Sequence, residues 1–314
     1  MPSATPSALD PGDTREVVRI HISPNGARVI YLRWSDGGTG RLYSVPLAGG
    51  TGVALSPAGE EPGNVLFGLG GTRVVYRSGP PAGDDQSIVY SVPTTGGARV
   101  VVGYNSGADR AAALAREIGG AGHLPLRIPM EDSAAIRAAA AEVESKLGRC
   151  DILVNSAGIT KAVAHADLDG LDDDTFDKIM RTNVRGPFAT IRAFAPLLKR
   201  SGDAIIVNIS SVSASTGLGS SIAYCASKAA VDTMGLSLAR ALGPQVRVIG
   251  VSPAAVATDF VPGRGRAGVE KQAATTPLKI VAEADDVALA VLSAITHLRL
   301  TTGTTIMVDS GRHL

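Results

Sequence analysis

Cysteine, aromatic residues and excess charge are all scarce in this 314-residue sequence, and each scarcity excludes a class of protein. The two cysteines, Cys150 and Cys225, and five scattered histidines show no metal-ligand spacing, which excludes a disulfide scaffold and a metal site. The net charge of +1 gives no basic field for nucleic acid. Neither a membrane-length apolar run nor a secretory signal is present, so we expect a cytoplasmic protein with no membrane or nucleic-acid partner.

Glycine and proline are unevenly distributed along the chain. Residues 1–97 hold 17 of the 37 glycines and 10 of the 18 prolines, and they contain no segment with helical periodicity. From about residue 98 the sequence is rich in alanine and alternates short apolar runs with long periodic stretches. This shift predicts a disordered tail over 1–15, an all-β segment over 16–97 and an α/β domain over 98–314.

The all-β segment contains an internal repeat. Arg28-Val29-Ile30-Tyr31 recurs as Arg73-Val74-Val75-Tyr76, and Leu42-Tyr43-Ser44-Val45-Pro46 recurs as Val89-Tyr90-Ser91-Val92-Pro93. A period of about 40–45 residues with several short strands is typical of a β-propeller blade. The segment resembles TolB/WD40-like propeller repeats, with fewer than two units present, and glycine-rich hairpins of no particular family are the alternative. Either interpretation implies at most a structural or interaction role.

The second part of the chain alternates predicted strands and helices. Strands are predicted over 99–103, 123–128, 151–155, 204–209, 246–251 and 304–308, and helices over 108–118, 133–147, 172–200, 221–242 and 284–297. Asp132 is placed to cap the helix over 133–147. Strands separated by helices predict a doubly wound parallel sheet with helices on both faces, which is a Rossmann-like fold.

A tyrosine and a lysine share one face of a predicted helix in this part. Tyr224 and Lys228 lie four residues apart, so their side chains are neighbours on the helix surface. A lysine cation beside a phenol lowers the pKa of the phenol, which would suit Tyr224 to proton transfer. Ser211 follows a buried strand, at the sheet edge where parallel sheets bind ligands. These residue types alone also occur as a solvated helix face and a strand-end hydroxyl.

Five ordered motifs carry a resemblance to a known family over residues 98–314. They are Asp151-Ile152-Leu153-Val154-Asn155-Ser156-Ala157-Gly158, Thr182-Asn183-Val184-Arg185-Gly186, the Ser211/Tyr224/Lys228 set, Ser252-Pro253-Ala254 with Thr258-Asp259, and Val308-Asp309-Ser310-Gly311. The chain resembles the short-chain dehydrogenase/reductase family and is similar to its 3-oxoacyl-acyl-carrier-protein reductases. The resemblance implies an NAD(P)-dependent oxidoreductase that interconverts a small carbonyl compound and an alcohol. It also implies a homo-oligomer, a dimer or tetramer, through the helices over 172–200 and 221–242.

The resemblance assigns catalytic roles by position. Tyr224 would exchange a proton with the substrate oxygen, and Ser211 would polarise the carbonyl. Lys228 would tune Tyr224 and hold the nicotinamide ribose, and Asn183 would anchor a water in a proton relay. Asn183 could instead tie a helix to a loop, and Ser211 could simply satisfy backbone groups.

The resemblance also implies a set of cofactor contacts. Tyr224 and Lys228 contribute to it, together with Asn105, Met130, Ser156, Ala157, Gly158, Pro253, Val256 and Thr258. Pro129 replaces the polar residue that the family has near the adenine, which leaves the Met130 backbone for that contact. Thr258 has the alternative role of an ordinary cap. No carboxylate stands near Asn105 to take both ribose hydroxyls, which favours NADP(H) over NAD(H).

The family's first strand, glycine-rich turn and helix are not recognisable in the sequence. The residues ahead of 99–103, where these elements would lie, are the propeller-like repeats. The glycine-rich stretch Gly68-Leu69-Gly70-Gly71 leads into a predicted strand instead of a helix. A phosphate cradle needs backbone N–H donors at a helix N-terminus. We therefore expect a sheet that lacks its usual first βα unit, through a fusion at residues 96–102. The alternative function is a catalytically impaired fusion protein that acts, if at all, through its β repeats.

Overall fold

The computed structural model describes residues 99–117 and 122–314 in full, and within residues 1–98 it describes the backbone of seven strands. These strands are Val17–Ile22 (β1), Arg28–Trp34 (β2), Gly40–Pro46 (β3), Val53–Ala54 (β4), Val65–Gly68 (β5), Arg73–Ser78 (β6) and Ile88–Pro93 (β7). Strands β1 to β4 form one antiparallel sheet and β5 to β7 another. The predicted tail and the propeller assignment lie outside the described residues.

The next elements follow the sequence prediction closely. They are Val101–Tyr104 (β8), Ala108–Glu117 (α1), Leu124–Arg127 (β9) and Ser133–Leu147 (α2), and β8 and β9 form a sheet of two strands. Asp132 caps α2 as expected, because its carboxylate accepts hydrogen bonds from the N–H groups of Ala134 and Ala135 at 2.9 and 3.0 Å. These backbone bonds lower the pKa of Asp132.

A parallel sheet and six helices follow in the described residues. The strands are Ile152–Asn155 (β10), Ala204–Ile209 (β11), Val246–Pro253 (β12) and Thr304–Val308 (β13), paired in that order and all parallel. The helices are Asp173–Met180 (α3), Gly186–Ser201 (α4), Ser213–Thr216 (α5), Ile222–Leu242 (α6), Gly265–Ala273 (α7) and Ala284–Thr296 (α8), where α5 is a single turn. The Rossmann-like α/β prediction is therefore confirmed. Strand β10 lies at the edge of this sheet, and Val154 within it is 42% exposed.

The prediction of a single continuous helix over 172–200 is wrong in one respect. A π-helical turn, Arg181–Arg185, separates α3 from α4, and the Gly186 N–H donates to the Arg181 carbonyl five residues earlier. The next residue, Pro187, has no N–H to continue an α-helical ladder at this point. Proline and a buried polar residue, Asn183, thus change the helix register where a purely periodic pattern predicts continuity.

The core lies on both faces of the parallel sheet. Ile205, Val207 and Ile249 pack with residues of α8 on one face. Because side chains alternate along a strand, the fully buried Ile206 points to the opposite face, where α4 contacts β11 and α6 contacts β12. The carboxyl ends of β10, β11 and β12 meet at one edge, and the loops after them carry most of the predicted site residues.

Gly186 is the glycine whose replacement we expect to disturb this packing most clearly. A β-carbon at Gly186 would lie 2.7 Å from Met130 Cβ and 2.9 Å from the Met130 carbonyl oxygen. We expect Gly186→Ala to lower the free energy of unfolding by about 1–3 kcal/mol through overpacking. Gly235→Ala in α6 is the matched control, since a β-carbon there meets nothing within 4 Å. Because alanine is the better helix former, the control should gain about 0.5–1 kcal/mol in urea unfolding. A Gly186→Ala protein as stable as the parent would contradict the packing argument.

The chain divides into two compact units. One contains residues 1–103 and 107–126, and the other contains residues 104–106 and 127–314. All of the residues predicted to form the site belong to the second unit. Among the helices that the structure describes, none combines the length and apolarity needed to cross a membrane.

Candidate functional site

The start of helix α6 positions Tyr224 and Lys228. The Ser221 hydroxyl caps the helix by accepting a hydrogen bond from the Tyr224 N–H at 3.3 Å. Lys228 follows one turn later, and its ammonium Nζ lies 5.7 Å from the centroid of the Tyr224 ring. Nζ donates to the carbonyl of Ile209, at the end of β11, at 2.7 Å. The predicted tyrosine–lysine face therefore turns inward, towards the carboxyl edge of the sheet.

Ser211 is the residue that joins the loop after β11 to this pair. Its hydroxyl donates to Ser213 Oγ at 3.1 Å, and it lies close enough to the Tyr224 phenol to act on the pKa of that group. Ser211 is buried, as is Tyr224. The structure thus brings Ser211, Tyr224 and Lys228 to one place, as the sequence predicts.

The pKa of Tyr224 moves in the direction opposite to the sequence prediction. Burial raises the pKa of the phenol, while the hydrogen bond with Ser211 and the positive charge of Arg264 act to lower it. The expected lowering by Lys228 is therefore not what the structure shows. The effect of burial on the pKa is the larger one, because removing a phenolate from water costs more free energy than its interactions with these neighbours contribute.

Lys228 is almost completely buried, and its charge is correspondingly costly. Burial lowers the pKa of Lys228 to about 8, and the negative charge of Asp232 acts in the opposite direction. Burial in turn raises the pKa of Asp232, which lies one turn further along α6 and accepts a hydrogen bond from Thr305 at 3.2 Å. Lys228 is therefore charged at neutral pH but close to losing its proton.

Asn183 is held by the π-helical turn and by three hydrogen bonds. Its Oδ1 accepts from the Ile159 N–H at 2.8 Å, and its Nδ2 donates to the Ile159 carbonyl at 2.9 Å and to Ser227 Oγ at 3.1 Å. The alternative role for Asn183, a tie between helix and loop, is thus one that it does perform. The same bonds hold the amide near Gly158, which is also near Lys228 Nζ.

Gly158 marks the point where these groups converge. A β-carbon placed on Gly158 would lie 3.5 Å from Asn183 Oδ1, 3.8 Å from Lys228 Nζ and 3.9 Å from Phe260 Cε2. Ser156 and Ala157 precede it in the loop after β10, and both are exposed. The glycine therefore leaves its backbone open beside an ammonium, a carboxamide and an aromatic ring.

The end of β12 and the segment that follows it, residues 253–258, contain the remaining predicted cofactor contacts. The Val212 N–H donates to the Pro253 carbonyl at 3.1 Å, which connects this segment to the loop that carries Ser211. The Thr258 N–H donates to the Val256 carbonyl at 2.8 Å, and Val256 also forms a β-bridge with Ala282. Pro253 is buried, whereas Val256 and Thr258 are partly accessible.

Asn105 and Met130 lie apart from the tyrosine cluster. Asn105 is exposed, and its carbonyl accepts a hydrogen bond from Arg127 Nε at 3.2 Å. Met130 packs against Gly186, and its sulfur accepts from Thr190 Oγ1 at 3.8 Å. No described contact links either residue to Tyr224 or Lys228. They therefore form an outer group, separate from the inner group around Gly158.

Sequence reasoning missed three side chains in these two groups. Phe260 packs its ring against Tyr224, with centroids 5.8 Å apart and an interplanar angle of 53°. Arg264 lies close enough for its charge to act on Tyr224, and Arg127 contacts Asn105. Arg264 stands at the N-cap of the helix α7. The signals available in the sequence were the aromatic residue Phe260 and the position of Arg264 between two glycines.

The sequence is similar to a large set of known proteins. The sequence model of the family described as enoyl-(acyl carrier protein) reductase matches residues 93–313. The chain is 43% identical over 131 residues to the short-chain dehydrogenase/reductase homolog YusR of Bacillus subtilis, covering 42% of this chain and 100% of YusR. It is 28% identical over 247 residues to the 3-oxoacyl-acyl-carrier-protein reductase FabG of Staphylococcus aureus, covering 77% of this chain and 99% of FabG.

Solved structures show the same likeness. A dehydrogenase/reductase from Sinorhizobium meliloti 1021 is 33% identical with a TM-score of 0.62, over 69% of this chain and 86% of that one. A gluconate 5-dehydrogenase from Burkholderia cenocepacia, solved with NADP and tartrate, is 26% identical with a TM-score of 0.62, over 69% and 86%. The matched residues, the parallel sheet and these relatives show that the chain belongs to the short-chain dehydrogenase/reductase family.

Proposed function

We propose that this chain is an oxidoreductase that interconverts a carbonyl and an alcohol by hydride transfer, with Ser211, Tyr224, Lys228 and Asn183 as its catalytic set and NADP(H) as its preferred cofactor. The observation that carries the proposal is the convergence of a buried phenol, a neighbouring serine hydroxyl and a buried ammonium beside Gly158. Membership of the family supports the same activity, since its named relatives include dehydrogenases and reductases.

Each member of the set has a distinct task. Tyr224 donates the proton to the substrate oxygen during reduction, and its raised pKa keeps it protonated until that moment. Ser211, already a partner of the phenol, polarises the carbonyl by hydrogen bonding. The positive charge of Lys228 stabilises the phenolate that forms on Tyr224. Asn183 holds a water through which the proton is replaced, from its fixed position beside Ile159.

The inner group is chemically suited to the nicotinamide end of a dinucleotide. An ammonium, a phenol and a carboxamide surround the open backbone of Gly158, which matches the hydroxyls and amide that this end presents. When bound, the nicotinamide supplies or accepts the hydride. Ser156, Ala157, Gly158, Pro253, Val256 and Thr258 would hold it together with Tyr224 and Lys228, and Met130 and Asn105 would contact the adenosine end.

Arg127 supports a preference for NADP(H) over NAD(H). Its guanidinium lies beside Asn105, where the cofactor's adenosine ribose is expected, and its side chain is exposed. An arginine at this position matches a 2′-phosphate, whereas NAD-binding sites of this fold place a carboxylate there. NAD(H) remains the weaker of the two ligands in this proposal.

Direct titration with cofactor tests the proposal. We expect saturable NADPH binding, observed by its fluorescence, with an affinity at least tenfold higher than that of NADH. Arg127→Gln should remove most of this difference, because it deletes the partner of the 2′-phosphate. Arg137→Gln, at an exposed position on α2, is the matched control and should leave the preference unchanged. Absence of saturable binding at millimolar NADPH would overturn the enzyme proposal.

The edge position of β10 favours a second candidate function. In residues 127–314 the parallel sheet ends at β10, so the strand and glycine-rich turn that the family places beside it are not part of this sheet. A chain without that turn lacks the backbone donors of a pyrophosphate site. The second candidate is therefore a catalytically impaired fusion protein that acts through its propeller-like β repeats over 16–97. Failure of the NADPH titration, with intact folding, is the result that this candidate expects.

The helices α3, α4 and α6 suggest a homo-oligomer. Phe176 on α3, Phe188 on α4 and Leu236 on α6 are 36%, 41% and 44% exposed, so each of these helices presents a large apolar side chain to solvent. Arg192 covers part of this surface, with its guanidinium carbon 5.6 Å from the centre of the Phe188 ring. These side chains support the dimer or tetramer that the family resemblance implies. The proposed partners are thus further copies of the chain and a small carbonyl or alcohol substrate.

A further inference from the structure

Arg264 is an arginine at the site to which the proposed chemistry assigns no role. It lies at the start of α7 between Gly263 and Gly265, whose φ angles of 78° and 60° are in the left-handed region. This turn directs the side chain back to the segment after β12, where Nη2 donates to the Val256 carbonyl at 3.0 Å. Glycine is the residue that adopts such angles without strain, so the sequence Gly-Arg-Gly permits this inward direction.

The guanidinium of Arg264 is incompletely satisfied. Its Nε is buried and has no hydrogen-bond partner among the described residues, and no carboxylate in that part of the chain pairs with it. Arg266, two residues further on, shows the contrast. It forms ion pairs with Glu270 at 3.1 Å and with Glu283 at 2.9 Å. An arginine that has no carboxylate partner is suited to binding an anionic ligand, because the oxygens of the ligand can accept hydrogen bonds from the guanidinium.

Arg264 is also close to the proposed proton donor. The electrostatic interaction between its guanidinium and Tyr224 acts on the pKa of both groups. Phe260, four residues before Arg264, packs on the Tyr224 ring and also lies near Gly158, so the segment 260–264 lies beside the site. A substrate whose oxygen reaches Tyr224 therefore has a cation within reach of a neighbouring substituent.

We propose that Arg264 binds the carboxylate of the substrate, so that the site takes oxo acids and hydroxy acids. This inference deepens the proposed function and rests on its placement of the substrate at Tyr224. The bound carboxylate accepts hydrogen bonds from the guanidinium and supplies the counter-charge that the described residues do not give it. Arg264 is thereby a specificity residue, while proton transfer stays with Tyr224.

Ligand-observed NMR titration tests this inference without requiring turnover. The probes are 2-hydroxybutanoate and 3-hydroxybutanoate, each compared with its methyl ester, with and without saturating NADPH. We expect at least one acid to bind the parent protein tenfold or more tightly than its ester. Arg264→Gln should abolish this difference, and Arg264→Lys should retain part of it because it keeps the charge and loses the fork.

Arg266→Gln is the matched control, since it removes the same charge from the same segment at an exposed, ion-paired position. It should discriminate acid from ester as the parent does. Equal binding of acid and ester by the parent, or full discrimination by folded Arg264→Gln, overturns the inference, as does an equal loss in Arg266→Gln. The arm without NADPH keeps this result separate from the proposed function, whose failure would appear as absent cofactor binding.

Discussion

Tyr224→Phe is expected to lower kcat for carbonyl reduction by about a thousandfold, because it removes the one proton donor that the proposed mechanism uses. The phenylalanine ring keeps the packing of Tyr224 against Phe260, whose ring centroid is 5.8 Å away. Ser211 loses a hydrogen-bond partner but retains its bond to Ser213 at 3.1 Å. The loss should therefore be confined to chemistry, with NADPH affinity and thermal stability close to those of the parent.

Steady-state kinetics and a cofactor titration on the same samples separate these effects. Tyr104→Phe is the matched control, since it removes a phenol hydroxyl from β8 and should leave kcat within about twofold of the parent. A Tyr224→Phe enzyme with more than a tenth of the parent kcat would show that another group supplies the proton. Loss of NADPH binding in this variant would instead assign the phenol to the binding of cofactor.

Lys228→Met is expected to make the protein more stable and much less active. The pKa of Lys228 falls to about 8 in the folded protein, against about 10.4 for a free lysine, so folding at neutral pH buries a charge against its preference. Removing that charge raises the free energy of unfolding by about 3 kcal/mol through proton linkage. The Ile209 carbonyl, bonded to Nζ at 2.7 Å, loses its donor, and Asp232 loses a neighbouring cation, which offset part of the gain. We expect a net gain of about 1–2 kcal/mol.

The sign of the pH dependence identifies the cause. Below pH 8 the lysine is charged in both folded and unfolded protein, so the cost of burial is fully present. Between pH 8 and about 10.4 the folded protein releases its proton first, and the parent gains stability relative to the variant. Urea unfolding at pH 7 and pH 9.5 should therefore show an advantage of Lys228→Met that shrinks at the higher pH.

An exposed lysine provides the control for this comparison. Lys271→Met on α7 should change stability by less than about 0.5 kcal/mol at either pH. A Lys228→Met protein that is less stable than the parent at pH 7 would mean that the ammonium contributes more through its bond to Ile209 than its burial costs. The activity loss, by contrast, is expected at both pH values, because the phenolate on Tyr224 then forms without a neighbouring cation.

Much of the α/β fold was predictable because periodic apolar patterns and caps act locally. The helix Ser133–Leu147 and the strand Ala204–Ile209 have the predicted bounds, and Asp132 caps as its position implies. The grouping of Ser211, Tyr224 and Lys228 was also predictable, since one residue follows a strand and two share a helix face. These inferences need only the local periods of helix and strand.

The remaining features depend on contacts between distant segments. Asn183 in the π-helical turn bonds to Ile159, 24 residues away, and no periodic pattern reveals this contact. The raised pKa of Tyr224 depends on burial by the surrounding chain, and proximity to Lys228 alone suggests the opposite direction. The position of Arg264 depends on two glycine φ angles that the sequence permits without requiring. Tertiary structure decides each of these cases.

The π-helical turn makes the position of Asn183 depend on the length of the chain as well as on its residue types. A π-helical turn contains one residue more than an α-helical path, and one residue corresponds to about 100° of helical rotation. Deleting one residue within 181–185 would remove the extra residue of the π-helical turn, rotate α3 relative to α4 and turn the Asn183 amide away from Ile159. The three hydrogen bonds that hold the Asn183 amide therefore depend on the number of residues in this turn, and a loss of one residue would break them together.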